Sequence, residues 1–417
     1  MTKLAVEERR DWRWWATPKP LAAKPIHRWY AFPHSFASEL VHALIDEWGL
    51  TSKDHILDPF AGAGTTLLAA KERGIPATGY DLSPLAVLVS EVKIGNYNAD
   101  RLWDLWSQIR RLVDPTHRNP LSTEYPELVR KALPGELLNV FDAIQYAIEG
   151  LATTCAERSF FRLALLSTVR QHSRAVADGG WLRWVERRSS PEQALADFGK
   201  RVELMLGDLE ESRMHMQGEP RWNVRTADAR TLPDPGSTYT AVITSPPYPN
   251  RHDYTRVFGV ELMFAFLDWE QTRRLRYQSF HSHPEAHPER PDTSNYLAPR
   301  RLTQLLAELQ RHDEDPRVLR MIEGYFLDLY LVLCEIRRVC KLGARIAFVV
   351  GNVQYHGTPL PVDELAAEIA EQAGLIPEKL VVVRHRSNSA QQMGEYGRKP
   401  SRESVVLMKK ENSPLHL

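Results

Sequence analysis

The chain is poor in cysteine: Cys155, Cys334 and Cys340 are the three in 417 residues, and no two share a CxxC spacing. That scarcity argues against a disulfide framework and against a zinc cluster. No apolar run approaches the roughly 20 residues that a bilayer demands, and no stretch reads as a signal peptide. The expected compartment is therefore the cytosol, with no membrane among the expected partners. Neither sign of charge prevails, with 53 Lys and Arg against 53 Asp and Glu. The total thus gives no hint of a polyanionic partner, and only local balance can. Internal repeats and low-complexity tracts are missing as well.

What is present is the composition of an ordinary folded protein, 43% hydrophobic and 25% charged, long enough for one large α/β core with insertions. Two segments are basic on balance. One runs over 158–201 with Arg170, Arg174, Arg183, Arg187 and Arg188; the other holds Arg384, Arg386, Arg398, Lys399 and Arg402. A solvated face explains either as well as a binding surface does.

Hydrophobic spacing predicts the order of elements. Residues 1–28, with Trp12, Trp14, Trp15 and three prolines, read as an irregular arm. A helix is expected over 38–48 and a short buried strand over 55–58. A glycine turn, a helix over 65–73, a strand over 77–81 and a helix over 84–93 complete a βαβ unit. Residues 100–215 read as helical throughout, with no strand. Strands are expected over 222–225 and 239–244, then loops and helices to about 315. A helix over 325–339, stopped by Lys341-Leu-Gly343, precedes a buried strand over 346–350. A helix over 362–373 and strands over 379–383 and 403–408 follow. The alternation implies an α/β, Rossmann-like fold: a mostly parallel sheet with helices on both faces, plus a large helical insertion. The expected organisation is a main body over 29–98 and 220–410, a helical insertion over 99–219, and a loop-and-helix insertion over 251–318.

Two motifs carry the chemistry. In Asp58-Pro-Phe-Ala-Gly-Ala-Gly-Thr-Thr66, Gly62 and Gly64 let a nucleotide-like ligand lie against backbone at the end of a strand. Asp58 is placed to receive a cationic amino group or to order a water. Asp81, at the end of the next strand, is placed to accept hydrogen bonds from ribose hydroxyls. Leu67 stands where a dinucleotide fold would have its third glycine, and no Lys follows the turn as a Walker loop requires. The second motif, Thr244-Ser-Pro-Pro-Tyr248, is a rigid corner. Ser245 Oγ and the Pro246 carbonyl can accept from the two N–H groups of an exocyclic amine, Pro247 stiffens the turn, and Tyr248 offers a face to a flat base.

Together these motifs resemble the S-adenosylmethionine-dependent DNA amino-methyltransferases, which methylate cytosine N4 or adenine N6. Trp29-Tyr-Ala-Phe-Pro-His-Ser-Phe36 resembles the family's segment over the methionine end, and Thr226-Ala-Asp-Ala-Arg230 the stretch whose acid reaches the adenine. The resemblance covers about 26–95 and 222–408 and implies a methyltransferase catalytic domain with S-adenosylmethionine as cofactor. It implies cofactor contacts from Phe36, Asp58, Pro59, Phe60, Gly62, Gly64, Thr65, Asp81 and Asp228, and catalysis by Ser245, Pro246, Pro247 and Tyr248. Ser-Pro-Pro-Tyr is typical of the cytosine-N4 members, so the expected reaction is site-specific N4 methylation of a flipped cytosine in double-stranded DNA. A restriction-modification setting, with a cognate restriction endonuclease as partner, is the expected context. Adenine-N6 methylation, RNA base methylation and a catalytically silent DNA-recognition subunit are the alternatives. Methylation at cytosine carbon 5 is excluded, because it needs a Pro-Cys nucleophile and the chain has no such pair.

After the corner, His252, Asp253, Tyr254 and Arg256 read either as contacts to the base or its phosphate or as loop supports. Asn352, next to Gly351, reads as a pocket residue or a strand end, and Ser387, Asn388 and Arg398 are weaker candidates of that kind. His281, His283 and His287 lack ligand spacing, so no metal is expected. Few residues follow the last strand, so no C-terminal recognition domain is expected. The insertion over 99–219, with Val169-Arg-Gln-His-Ser-Arg174 and Asp178-Gly-Gly180, and the segment over 255–315 are the candidates for reading DNA.

Overall fold

The computed structural model describes residues 4–33, 35–113, 125–212, 221–291, 293, 295–312, 314–386 and 400–411. Its strands are β1 (Ala5–Glu8), β2 (Ile56–Asp58), β3 (Ala77–Asp81), β4 (Ala175–Asp178), β5 (Trp181–Trp184), β6 (Trp222–Thr226), β7 (Tyr239–Thr244), β8 (Cys340–Gly351), β9 (Val353–Tyr355), β10 (Thr358–Leu360), β11 (Ile376–Arg386) and β12 (Ser401–Lys409). Eight of them make one sheet in the order β1-β11-β12-β8-β7-β2-β3-β6. Strands β6, β3, β2, β7 and β8 run parallel, while β12 lies antiparallel between β8 and β11. The chain steps outward from β2 through β3 to β6, then returns to the other side of β2 as β7. The carboxyl ends of β2 and β7 therefore flank a switch point, where α/β sheets bind ligands. This is the expected Rossmann-like methyltransferase architecture.

The helices are α1 (Ser38–Trp48), α2 (Thr65–Glu72), α3 (Pro84–Ile94), α4 (Ala99–Leu112), α5 (Glu127–Ala132), α6 (Glu136–Leu151), α7 (Cys155–His172), α8 (Pro191–Ser212), α9 (Tyr254–Val257), α10 (Gly259–Ala265), α11 (Trp269–Gln278), α12 (Arg300–Arg311), α13 (Pro316–Val339) and α14 (Val362–Gln372). Helices α13 and α14 supply the core on one face of the sheet. On the other face α1 to α3 share a core with α4, α6, α7, α8 and α10, so the helical insertion packs onto the main body. Trp29 and Tyr97 both make ring contacts with Phe160 of α7. Buried Asp208 of α8 accepts from Ile26 N–H, the Arg28 guanidinium and Trp29 Nε1. No helix among the described residues is long and apolar enough to cross a membrane.

Several expectations are corrected. The arm over 1–28 is not wholly irregular, because β1 joins the sheet edge parallel to β11. Its exposed, charged residues give no hydrophobic signal; its partners are the β11 backbone and the Glu7–Lys379 ion pair. The insertion is not strand-free, since β4 and β5 form an antiparallel hairpin closed by Gly179 and Gly180. A Gly-Gly pair between short strands is a hairpin signal, here hidden in a helical stretch. Helix α13 starts at Pro316, capped by the Asp315 side chain on the Arg317 N–H, rather than at 325. Lys341-Leu-Gly343 belongs to β8, which leaves α13 directly at Cys340 and pairs with Tyr239. The small hairpin β9–β10 was not anticipated.

The missing third glycine also finds its explanation. A Cβ on Gly79 of β3 would stand 2.6 Å from Leu67 Cδ1 and 3.0 Å from Ala61 Cβ. Close helix–strand packing, the usual task of that third glycine, is achieved here by removing the side chain from the strand instead.

Candidate active site

The carboxyl ends of β2, β3 and β7 open into one solvent-connected cleft. Asp58 and the residues of the glycine turn form its floor, with Asp81 and Ser83 to one side and Ser245 and Pro247 to the other. Phe32, Pro33, Ser35 and Phe36 approach from the segment before α1. Residues 227–230 close the end beyond β3, and Tyr254, Thr255, Phe258, Leu262, Leu275, Ser279 and Phe280 form the far wall. The two motifs thus share one space.

They are also tied to each other. Thr244 Oγ1, one residue before Ser245, donates to Asp58 Oδ1 at 2.6 Å, and Thr66 Oγ1 donates to the Ile243 carbonyl at 3.1 Å. Asp58 further accepts from the Phe60 N–H. Burial nevertheless lifts its carboxyl to about 6, against the hydrogen bonds from Thr244 and Phe60 that lower it. Asp81 holds the turn from the side, accepting from Gly62 N–H and Ser83 N–H at 2.9 Å each; burial raises its pKa too. Among the described residues neither carboxylate has an ion-pair partner, so both keep acceptor capacity for a ligand.

Gly62 and Gly64 both have positive φ, which L side chains rarely adopt. A Cβ on Gly64 would meet Ser90 at 2.9 Å, so Gly64 serves the packing of α3 and does not line the cleft. Gly62 does line it, and a Cβ built there would stand 3.9 Å from Phe32 Cε1. Thr65 Oγ1 hydrogen-bonds Ser35 Oγ, and the Phe60 ring meets Phe280 edge to face at 5.6 Å. Pro59 and Phe36 line the cleft as well.

Asp228 reaches the cleft already paired: Arg230 grips it through Nε and a second nitrogen. Arg230 is itself held by buried Asp328, 3.2 Å away, which also binds His281 and Arg290. Burial alone would raise the Asp328 pKa, but His281, Arg230 and Arg290 more than reverse that.

The Ser245 hydroxyl donates to the Val349 carbonyl at 3.0 Å. Its single proton is thereby spent, and what remains for a ligand is acceptor capacity. Pro246 is buried and, like Tyr248, does not line the cleft. The Tyr248 ring lies against Gly351, where a Cβ would stand 2.7 Å from it, with the Arg386 guanidinium 5.9 Å from its centroid. Burial pushes the Tyr248 and Tyr254 hydroxyls well above their ordinary range.

Of the candidates beyond the corner, Tyr254 lines the cleft, whereas His252, Arg256 and Asn352 do not. His252 is buried beside Tyr254, with ring centroids 5.5 Å apart. Arg256 pairs with Asp253 and Glu285. Asn352 Oδ1 accepts from Asp363 N–H at the start of α14. Ser387, Asn388 and Arg398 lie outside the described residues.

Apart from Tyr254, sequence reasoning missed the far wall, because nothing in the spacing of 255–280 points back to the glycine turn. It also missed Lys93, a buried amine on α3 that donates to the Ala63 carbonyl at 3.1 Å. Burial draws its pKa down to about 7. A lysine on the buried face of an otherwise apolar helix was the available signal.

A family profile described as DNA methylase matches residues 7–91. The chain is 30% identical over 442 residues to the type II methyltransferase M.BsoBI of Geobacillus stearothermophilus, covering 92% of this chain and 86% of that protein. It is likewise 30% identical over 422 residues to the type II methyltransferase M.AvaI of Nostoc sp., covering 93% and 87%. Among solved structures, a geranyl diphosphate methyltransferase in complex with SAM overlaps 95% of this chain and 96% of its own at 9% identity, with a TM-score of 0.31. So loose an overlap adds nothing to the topology described above.

Proposed function

The chain belongs to the S-adenosylmethionine-dependent DNA amino-methyltransferases, and on that premise we propose that it methylates N4 of a cytosine at a specific site in duplex DNA. The observation that carries the reading is that Ser245 and the glycine turn line one cleft, joined by the Thr244–Asp58 bond.

The cleft fits the cofactor. Gly62 leaves a cradle where a side chain would intrude, Asp81 keeps acceptor capacity for ribose hydroxyls, and the Asp228–Arg230 pair faces the adenine end. The rings of Phe36, Phe60 and Phe280 offer apolar surface, and Asp58 supplies a buried carboxylate for a cationic group. When bound, S-adenosylmethionine supplies an electrophilic methyl on a sulfonium.

An exocyclic amine is a poor nucleophile, since its lone pair is delocalised into the ring. Ser245 Oγ accepts from one N–H and the Pro246 carbonyl from the other, which favours the pyramidal nitrogen that the transition state needs. Pro247 keeps the carbonyl in place, Tyr254 bounds the space for a base turned out of the helix, and Tyr248 backs the corner against Gly351. With the cofactor held by Asp58, Gly62 and Asp81, a nitrogen so presented would face the methyl group that the cofactor would supply, and its surplus proton would leave to water. The commitment of the Ser245 proton to Val349 agrees with an accepting rather than a basic role. His252 and Arg256 act as supports for the loop that carries Tyr254, and Asn352 as a support for the start of α14. The cytosol is the proposed compartment, and a cognate restriction endonuclease the proposed partner in a restriction-modification pair.

Nucleoside analysis of DNA from cells expressing the protein tests the proposal. N4-methylcytosine is the expected product. N6-methyladenine would move the target to adenine with the same corner, and unmodified DNA would remove the reading.

A further inference from the structure

The β4–β5 hairpin is the feature of the molecule that the site does not absorb. Its strand β5 is four residues long, yet Trp181 is 59% exposed and Trp184 51% exposed. Large aromatic rings left in water on so short an element mark a surface that meets something.

Its position is fixed on the active-site side. A Cβ on Gly180, in the hairpin turn, would stand 3.0 Å from the Arg251 carbonyl and 3.2 Å from His252 Cα. The turn is therefore seated on the loop that follows the Ser245 corner. Tyr254 and Thr255 of that loop line the cleft, and their neighbour Arg256 sits over the Trp181 ring at 4.4 Å. On the inner side, Leu182 packs against the core that holds Gly259. The hairpin is thus anchored by its turn and by Leu182; Trp181 stands on the opposite face, and Trp184, on the Leu182 face at the far end of β5, is half exposed beyond the anchor.

Its surroundings are cationic. Arg174, Arg187 and Arg188 outnumber the single acid Glu136 in one shallow depression next to Arg174 at the start of the hairpin, and Arg183 projects from β5, paired with exposed Asp178. In a chain of zero net charge, such a concentration selects a polyanion.

We propose that this hairpin is a DNA-contacting finger, in which Trp181 and Trp184 stack on bases beside the one drawn into the cleft and the flanking arginines meet the duplex phosphates. The inference rests on the proposed DNA-methylating function and assigns part of the substrate surface to the insertion over 99–219. Stacking on an aromatic ring tolerates any base, so the finger holds DNA open without itself reading sequence.

The test uses the full chain and a fluorescein-labelled duplex carrying the site found modified in expressing cells. Trp181→Ala and Trp184→Ala are expected each to weaken duplex binding about tenfold and to raise KM for DNA in parallel. Trp181→Phe is expected to restore most of the loss, and cofactor affinity is expected to stay unchanged in all three. Duplex binding within twofold of wild type in both alanine variants overturns the finger while leaving the methyltransferase reading intact. A wild-type protein that neither binds nor methylates duplex DNA removes both.

Discussion

The two walls of the cleft are built by opposite means. The cofactor wall comes from one βαβ unit: Asp58, the glycine turn, Asp81 and Ser83 follow one another along β2, α2 and β3. Its groups are held by short local bonds, Asp81 to Gly62 and Ser83 among them. The substrate wall is assembled from Phe32 before α1, Ser245 after β7, and Tyr254, Thr255 and Phe258 from α9 and just beyond it. Tertiary contacts hold it, such as the Phe32–Phe258 ring pair at 4.5 Å. Binding a fixed small molecule is thus entrusted to a local motif, while the surface toward a variable polymer is gathered from distant segments. If that division is real, changes on each wall should separate cofactor affinity from transfer.

Ser245, where the walls meet, gives the sharpest test. Ser245→Ala removes an acceptor aimed at the amine, and loss of such a transition-state contact is expected to slow transfer by about 10²–10³-fold. Cofactor affinity should remain within about twofold, since Ser245 holds none of the turn. Single-turnover transfer of labelled methyl, with calorimetry for the cofactor, reads both quantities. A collapse of cofactor affinity would show that the walls do not act separately. Asp81→Ala should do the reverse. It leaves two backbone N–H groups without their acceptor, a loss of about 2 kcal/mol, and cofactor binding should weaken roughly 30-fold. Calorimetric titration of the variant measures it, and transfer at saturating cofactor should change far less.

The same division decides what was legible in the sequence. Asp58, Gly62 and Asp81 were readable because a strand end, a turn and a strand end recur at fixed spacing whatever packs around them. Ser245 was readable because two prolines after a buried strand can only make a corner. Phe280 and Thr255 were not, since their place depends on how α9 to α11 return across the sheet, and no local spacing records that. Strand β1 was hidden for another reason: its stability lies in backbone bonds to β11 and ion pairs, so Ala-Val-Glu-Glu shows no alternation of burial. The role of Asp228 was half legible. Its place at the strand end was clear, but its clamp by Arg230, and that of Arg230 by Asp328, spans a separation no motif encodes.

Within the cofactor wall, the contact between α2 and β3 can be perturbed without touching a ligand group. Gly79→Ala drives a Cβ to 2.6 Å from Leu67 Cδ1, and overpacking of this kind costs about 1–3 kcal/mol. Leu67→Ala alone opens a cavity. Combined, the two should cost clearly less than their sum, because each relieves the other. Denaturant unfolding of the two singles and the double measures the coupling. Additive costs would mean that Gly79 is not the counterpart of the absent third glycine.

The smallest expected effect is one of pH, and it separates the walls by sign. The Asp58 carboxyl sits at about 6 in the folded protein, against an ordinary 3.8, because it is buried. Between those values the folded chain binds more protons at this site than the unfolded chain. Asp58 therefore makes the free protein less stable as pH rises through that window, and the loss is complete above about 6. A cationic group on the ligand favours the ionised carboxylate, so the cofactor must expel the proton when it binds below that pH. Affinity should accordingly weaken about tenfold between roughly pH 7 and pH 5. Proton release on binding should appear as a dependence of the calorimetric heat on the buffer. Asp58→Asn should erase both the dependence and the release, leaving weak binding at every pH. The stability of the free protein and its affinity for the cofactor thus move in opposite directions across one interval, which a ligand resting only on the aromatic rings of the substrate wall would not produce.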